Sequence, residues 1–275
     1  MSHSSEAAFA DDRRPVEGLP RVETVLAGDG DTGRNRRARR FAALGALVAG
    51  LVSFGIGELT YDLIPAARVR PDPSVGEKNM LATTETQRTA TSQNAAIALG
   101  VLGLCSGACL GWAGGWSRRS RSAAIRSALL GAILAMFAGA SISLLLLPPL
   151  LKIRIYHEEY ASLISLATHG LMWGMVGAAA GLAFAYGFGE RRFLVQAAVA
   201  CFLAGIVAAI LFDLSGVIFF PTANTEAPIS SSWLTRLIAV LLALAATVLA
   251  LAVSLPRSSV ALSRAAETAI PSPDP

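Results

Sequence analysis

The chain has 275 residues, of which 53% are hydrophobic and only 15% are charged. A soluble domain is ordinarily about 25% charged, so the composition excludes an ordinary soluble protein and predicts an all-α protein whose apolar runs lie in a lipid bilayer. The formal net charge is +4, but the basic residues cluster beside the apolar runs, where they set membrane orientation. This placement argues against a nucleic-acid partner.

The first 40 residues predict a disordered cytoplasmic tail. They are polar, rich in Asp, Gly and Arg, and contain Pro15 and Pro20. Such a segment buries too little apolar surface to offset the chain entropy that folding removes. The tail is also too long and too acidic for the basic region of a signal peptide. We therefore expect the apolar run that follows it to stay in the protein as a membrane anchor.

Six apolar runs follow, each free of Asp, Glu, Lys and Arg and close to the roughly 20 residues that a membrane-spanning helix needs. They are residues 41–57, 89–117, 127–151, 160–189, 193–212 and 237–256. The sequence therefore predicts a polytopic membrane protein with six transmembrane helices in residues 41–256. A polar stretch with several prolines predicts an outer loop at about residues 65–93, and residues 257–275 predict a short cytoplasmic tail.

Arginines are concentrated at alternate ends of the predicted spans. They lie before the first helix, in the second and fourth connections and after the sixth helix, whereas the other connections carry few basic residues. Because such residues stay on the cytoplasmic side, we expect both termini in the cytoplasm. All but two of the 23 basic residues are Arg. Together with the heavy use of Ala, this skew indicates a bacterial genome and hence a multi-pass protein of the bacterial inner membrane.

Two of the predicted helices carry glycines every three or four residues. They are Gly103, Gly107 and Gly111 in the second helix, and Gly174, Gly177 and Gly181 in the fourth. Glycines at this spacing let two helix backbones approach closely. We interpret them as helix-packing residues of a Gly/Ala-packed bundle, with a glycine-lined permeation path as the alternative.

A short motif recurs in the odd-numbered helices, and helices two and four also resemble each other in their glycines and in the Arg-Arg pair that follows. The recurring motif is Ala49-Gly50, Ala138-Gly139 and Ala204-Gly205, each followed by a proline near the outer end of the helix. This pattern predicts a two-helix hairpin used three times, with copies related by an axis along the membrane normal. Chance is the alternative explanation, because Ala, Gly and Leu dominate every run.

Four ionisable residues within or next to the spans are candidates for a transport site or a polar core: Glu58, Asp62, His169 and Asp213. A charge in hydrocarbon costs at least about 2.5 kcal/mol, so it is kept where it is paired, hydrated or useful. Glu58 and Asp62 share a helix face if the first helix continues to Pro65, and Asp213 lies at the corresponding depth of the fifth. The alternative is that the carboxylates are ordinary helix-end residues and that His169 is a neutral imidazole bonded to a neighbouring helix.

The sequence contains no Walker motif, dinucleotide fingerprint or zinc signature. We therefore predict no catalytic, cofactor-binding or metal-binding residues, and an enzyme is not favoured. Two functions remain as hypotheses. The first is a structural or accessory subunit that binds a membrane or cytoplasmic protein partner, which the scarcity of buried polar residues and the glycine faces favour. The second is a small transporter or channel that uses the four ionisable candidates.

Overall fold

The computed structural model describes residues 22–69, 81–221, 225 and 227–256, with the side chains of the first helix from Gly33 onward. The helices are α1 (Val22–Leu59), α2 (Thr84–Ser117), α3 (Arg121–Tyr156), α4 (Ala161–Phe188), α5 (Arg191–Phe219) and α6 (Trp233–Ser254), with a 3-10 helix at Glu158–Tyr160. Two short antiparallel strands, β1 (Arg68–Val69) and β2 (Leu81–Ala82), lie between α1 and α2, with Arg68 opposite Ala82. The described residues between 34 and 256 belong to one compact unit.

The predicted all-α polytopic membrane fold is confirmed. Within the described residues, six helices are long and apolar enough to cross a membrane. The helices extend beyond the charge-free runs, since α3 begins at Arg121 and continues through Pro148 and Pro149 to Tyr156. The added turns carry charged side chains, which helix ends tolerate because they reach the water at the membrane surface.

The central helices of the bundle are α2 and α4. Their most apolar stretches are 61% and 72% buried inside the protein, against 22–28% for the other four spanning helices. α4 packs against α2, α3, α5 and α6. The outer faces of α1, α3 and α5 carry exposed apolar side chains such as Leu51, Leu129 and Val199, and a bilayer covers such faces.

Glycines bring α2 and α3 into backbone contact. A β-carbon at Gly103, Gly107 or Gly111 would overlap the carbonyl oxygen of the α3 residue that faces it. Ser127 fixes the contact further, because its Oγ donates a hydrogen bond of 2.7 Å to Gly111 O across the two helices. At these three glycines the missing side chain lets the backbones of α2 and α3 come into contact.

A second hairpin, α4–α5, repeats the geometry of α2–α3. In both hairpins the facing residues have the same separation along the chain. The facing pairs are Gly107 with Gly131 and Gly111 with Ser127 in the first hairpin, and Gly177 with Cys201 and Gly181 with Ala197 in the second. Each turn also contains a residue with positive φ, Arg119 at 58° and Gly189 at 85°. The likeness of helices two and four thus belongs to the hairpins α2–α3 and α4–α5, whereas the predicted repeat pairs each odd helix with the even helix after it. The threefold repeat stays a prediction.

The predicted disordered tail is too long. α1 begins at Val22, and Ala38 is fully buried in the compact unit. Asn35 Nδ2 donates a 2.8 Å hydrogen bond to Pro256 O, and Arg34 pairs with Glu190. These partners are remote in sequence, so the polar composition of the segment gave no sign of them. The predicted tails at residues 1–21 and 257–275 lie outside the described residues.

The predicted outer loop at residues 65–93 is also too long, because α2 begins at Thr84. Thr83 and Thr86 form a reciprocal cap in which each side chain accepts a hydrogen bond from the backbone N–H of the other. Such a capping box satisfies amide groups that a helix start otherwise leaves unbonded. The polar, Thr-rich composition that predicts a loop is therefore the composition of a capped, water-exposed first turn.

Candidate functional site

A cavity of about 100 Å³ lies at one end of the bundle, the end opposite the α2–α3 and α4–α5 turns. Its wall is formed by the end of α1, the turn after it, the first half of α2, parts of α4 and α5, the segment before α6 and the start of α6. A space of that size accommodates several water molecules, since one needs about 10–15 Å³ by the same measure. We call it the polar cavity, because charged and amide side chains meet on its wall.

Glu58 and Arg236 form a two-pronged ion pair on this wall. Arg236 Nε donates to Glu58 Oε1 at 2.6 Å and Nη2 donates to Oε2 at 2.7 Å. The remaining Nη1 donates to Ser230 O and Ser231 O, both at 2.9 Å, and the guanidinium lies 3.8 Å from the centroid of the Tyr61 ring. The pair therefore joins the end of α1 to the start of α6 with the planar geometry that favours Arg over Lys.

Asp62 does not share a helix face with Glu58. α1 ends at Leu59, Leu63 N donates to Thr60 O at 3.2 Å, and Asp62 has φ of 54° in the resulting turn. The condition for a shared helix face, a first helix that continues to Pro65, is therefore not met. The turn nevertheless places Asp62 on the wall of the polar cavity beside Glu58.

Asn94 of α2 holds this turn in place. Its Nδ2 donates to Ile64 O at 2.9 Å and to Asp62 Oδ1 at 3.3 Å, while its Oδ1 accepts from Ile64 N at 2.9 Å. The amide thus satisfies both backbone groups of Ile64, as a neighbouring strand would. Because Asn94 is 8% exposed, losing it would leave buried polar groups unpaired.

His169 of α4 and Asp213 of α5 form a buried hydrogen-bonded pair, called the His–Asp pair below. Nδ1 of His169 lies 2.9 Å from Asp213 Oδ1, and Nε2 lies 3.1 Å from Ala227 O. The imidazole is 2% exposed and the carboxylate side chain 21% exposed. The ring packs against Trp173 and Phe212, with centroids 5.6 and 5.7 Å away.

The partners of His169 determine where protons lie in the His–Asp pair. A peptide carbonyl only accepts, so Nε2 must carry a proton to bond Ala227 O. The other contact needs one further proton, carried either by Nδ1 of an imidazolium or by the carboxyl group of Asp213. The pair has no net charge in either arrangement. Without that proton a neutral imidazole has a single N–H for two acceptors, so His169 can bond either Asp213 Oδ1 from Nδ1 or Ala227 O from Nε2, and one of the two contacts is lost.

One carboxylate oxygen of the His–Asp pair takes no part in the hydrogen bond between the two side chains. Asp213 Oδ2 is buried and has no hydrogen-bond partner among the described residues. A buried carboxylate oxygen without a partner costs free energy, so this atom is a place where a proton, a water molecule or a cation is favourable. It adds an acceptor to a site that already holds an exchangeable proton.

The structure brings the four ionisable candidates together at one end of the bundle. Glu58, Asp62 and His169 line the polar cavity, and Asp213 lies directly behind His169. The helix-packing candidates, which include Gly174 of α4, instead meet the neighbouring helices. Arg236 was missed as a candidate, although a single Arg in the first turn of an apolar helix, at the end with few basic residues, is a signal that it has a local partner.

Comparison of the chain with protein families, with curated proteins and with solved structures gave no match.

Proposed function

We propose that this chain is a small transporter that moves protons or cations, with the polar cavity as its binding site. Glu58, Asp62 and His169 on the wall of the polar cavity, together with Asp213 hydrogen-bonded to His169, support this proposal. Ionisable groups within a span are kept where they are paired, hydrated or useful. Water in the polar cavity would hydrate those on its wall, and Asp213 Oδ2, which has no hydrogen-bond partner among the described residues, would offer a further acceptor next to His169.

The His–Asp pair is the observation that carries the proposal. Its two hydrogen bonds require a bound proton, and His169 lies on the wall of a water-sized cavity. Protonation therefore lets His169 hold Asp213 of α5 and Ala227 at the same time, whereas loss of the proton leaves one N–H for the two acceptors and breaks one contact. Such a group couples proton binding to the contacts that α4 makes with α5 and with the segment before α6, which is what a proton-linked transporter requires.

Two features of the sequence that favoured an accessory subunit support it less strongly in the structure. The glycine faces of α2 and α4 are covered by α3 and α5 of the same chain, so they are not free to bind a partner protein. Buried polar residues are also less scarce than the sequence indicated, since Asn94, Thr168 and His169 are all less than 9% exposed. Both observations favour the transporter.

We place the protein in the bacterial inner membrane, with the arginine-rich end in the cytoplasm and the polar cavity toward the periplasm. This orientation is supported by the positive-inside rule and by the contact of Arg34 with Glu190, which brings two arginine-rich segments to the same end of the bundle. Alkaline phosphatase fused at Ser74 is expected to be active and at Ser120 inactive, because the enzyme folds only in the periplasm. The reverse pattern would invert the orientation.

Proton flux tests the proposed function. Vesicles that contain the pure protein and trapped pyranine are given an inside-negative potential with K⁺ and valinomycin, in a series of Na⁺, Li⁺ and choline buffers. We expect wild-type vesicles to acidify faster than protein-free vesicles in at least one buffer. Asp213→Asn and His169→Gln are expected to reduce the rate to the protein-free level, because neither side chain can complete the proton exchange of the His–Asp pair.

A second His–carboxylate pair provides the matched control. His157 Nδ1 lies 3.4 Å from Glu159 Oε1, and these side chains are 54% and 62% exposed outside the cavity. The double variant His157→Gln, Glu159→Gln should therefore keep the wild-type flux. Flux that persists in both Asp213→Asn and His169→Gln, or that never exceeds the protein-free rate, contradicts the proposal. Gel filtration verifies that each variant is folded and monodisperse.

A further inference from the structure

A second cavity, of about 380 Å³, lies at the opposite end of the bundle. It is formed where the α2–α3 turn and the start of α3 meet the end of α4 and the start of α5. Arg118, Arg126 and Arg191 all line it, together with the hydroxyl groups of Ser120 and Ser122. We call it the arginine pocket. It does not overlap the polar cavity or depend on the transport function proposed for it.

Among the described residues, the three arginines of the arginine pocket have no counterion. Neither a salt bridge nor a side-chain hydrogen bond joins Arg118, Arg126 or Arg191 to another residue in the described part of the chain. The single carboxylate on the wall, Glu190, is paired with Arg34. The wall thus carries three arginines and one carboxylate that is already paired, and this excess of positive charge favours an anion.

The chemistry of the lining selects among anions. Guanidinium groups match phosphate oxygens in a planar, two-pronged geometry, and hydroxyl groups donate to the remaining oxygens. A phosphate group therefore suits the pocket better than a single small halide.

Apolar side chains next to the arginine pocket indicate that the phosphate belongs to a lipid. Leu129 and Leu130 follow Arg126 by one helical turn and are 61% and 54% exposed, and Val195 follows Arg191 by one turn and is 71% exposed. Side chains three or four positions apart lie on the same helix face. Acyl chains can therefore lie on these residues while the headgroup occupies the pocket.

We infer that the arginine pocket is a binding site for the headgroup of an anionic phospholipid. Basic pockets between spanning helices at the membrane surface bind such headgroups. The bound lipid would connect the two hairpins, because Arg118 and Arg126 come from α2–α3 and Arg191 comes from α4–α5. The site thus gives the bundle a lipid requirement at the end opposite the polar cavity.

Native mass spectrometry of delipidated protein in detergent tests this inference, with phosphatidylglycerol and phosphatidylcholine as probes. Phosphatidylglycerol is expected to remain bound under activation that removes phosphatidylcholine. The triple variant Arg118→Gln, Arg126→Gln, Arg191→Gln is expected to bind phosphatidylglycerol at least about tenfold more weakly. If that variant does not fold, Arg126→Gln alone carries the test, with an expected weakening of about threefold.

A second triple variant serves as the control, because it removes the same number of positive charges from the same end of the bundle. Arg36, Arg39 and Arg40 are exposed on α1 outside the arginine pocket, so their replacement by Gln should change the affinity by less than about twofold. Equal weakening in both triples would overturn the inference, because it would indicate general surface attraction. Equal retention of phosphatidylglycerol and phosphatidylcholine by the wild-type protein would also overturn the inference. Inorganic phosphate or glycerophosphoglycerol that binds as tightly as the lipid would overturn it too, by assigning the pocket to a free anion.

Discussion

Replacing Gly107 by alanine is expected to lower the free energy of unfolding by about 2–3 kcal/mol. The added β-carbon would overlap Gly131 O and lie 2.5 Å from Gly131 C and 3.0 Å from the Ala135 β-carbon. α3 cannot simply move away from α2, because α4 packs against it at the same level. The Ala183 β-carbon of α4 lies only 2.5 Å from the position that a β-carbon on Gly131 would occupy. The substitution therefore forces apart two helices that a third holds together. Unfolding in mixed detergent micelles at increasing SDS measures the change.

Gly55 on α1 provides the control for this prediction. Nothing lies within 4 Å of the place where its β-carbon would be, so Gly55→Ala should leave stability unchanged or raise it by about 0.5–1 kcal/mol through the better helix propensity of alanine. Gly177→Ala should fall between the two, since its β-carbon would lie 2.7 Å from Cys201 O. Equal effects at Gly107 and Gly55 would contradict the proposed backbone contact of α2 with α3.

Hydropathy predicted the six spans but not the ends of the helices. A charge-free run marks the part of a helix that can lie in hydrocarbon, whereas the helix itself continues until its backbone hydrogen bonds end. α3 illustrates the difference: its N-cap is Ser120, whose side chain accepts from Ala123 N, and it includes Arg121 and Arg126 before the apolar run begins. Caps and charged first turns are local signals that a search for apolar runs does not use.

The sequence did not predict which residues far apart in the chain come into contact. Ionisable residues inside apolar runs were found because a charge in hydrocarbon is costly, and Glu58 and His169 do lie on one cavity wall. The pairing of these residues was not found, because Arg236 is 178 residues from Glu58 and Asp213 is 44 residues from His169. No periodicity links positions so far apart, and the order of packed helices decides which of them meet.

The contacts of the glycine-rich helices were likewise not predictable from the sequence. The glycines of helices two and four were visible in the sequence, but the helix that faces each glycine was not. Gly111 faces Ser127 and Gly181 faces Ala197 across a tight turn, so in each hairpin the glycine-rich helix comes first. The short Ala-Gly motifs predicted instead a hairpin that begins with an odd helix. Two small residues carry too little information to define where a repeat begins.

The ion pair of Glu58 with Arg236 is expected to hold the end of α1 against the start of α6. Arg236→Gln should lower the free energy of unfolding by about 2–3 kcal/mol, because it leaves a carboxylate without its charged partner in a partly buried site. Glu58→Gln should cost less, about 1–2 kcal/mol, since Arg236 keeps its bonds to Ser230 O and Ser231 O and its contact with Tyr61. The same SDS unfolding experiment measures both.

The double variant separates the pair from its surroundings. If the two side chains act together, the loss in Glu58→Gln, Arg236→Gln is smaller than the sum of the single losses by about 1–2 kcal/mol. Arg88 and Glu85 supply the matched control, an ion pair of 2.8 Å whose carboxylate side chain is 75% exposed. Its coupling should not exceed about 0.5 kcal/mol. A coupling as small at Glu58 and Arg236 would contradict this prediction, because it would mean that water separates the two side chains in the membrane.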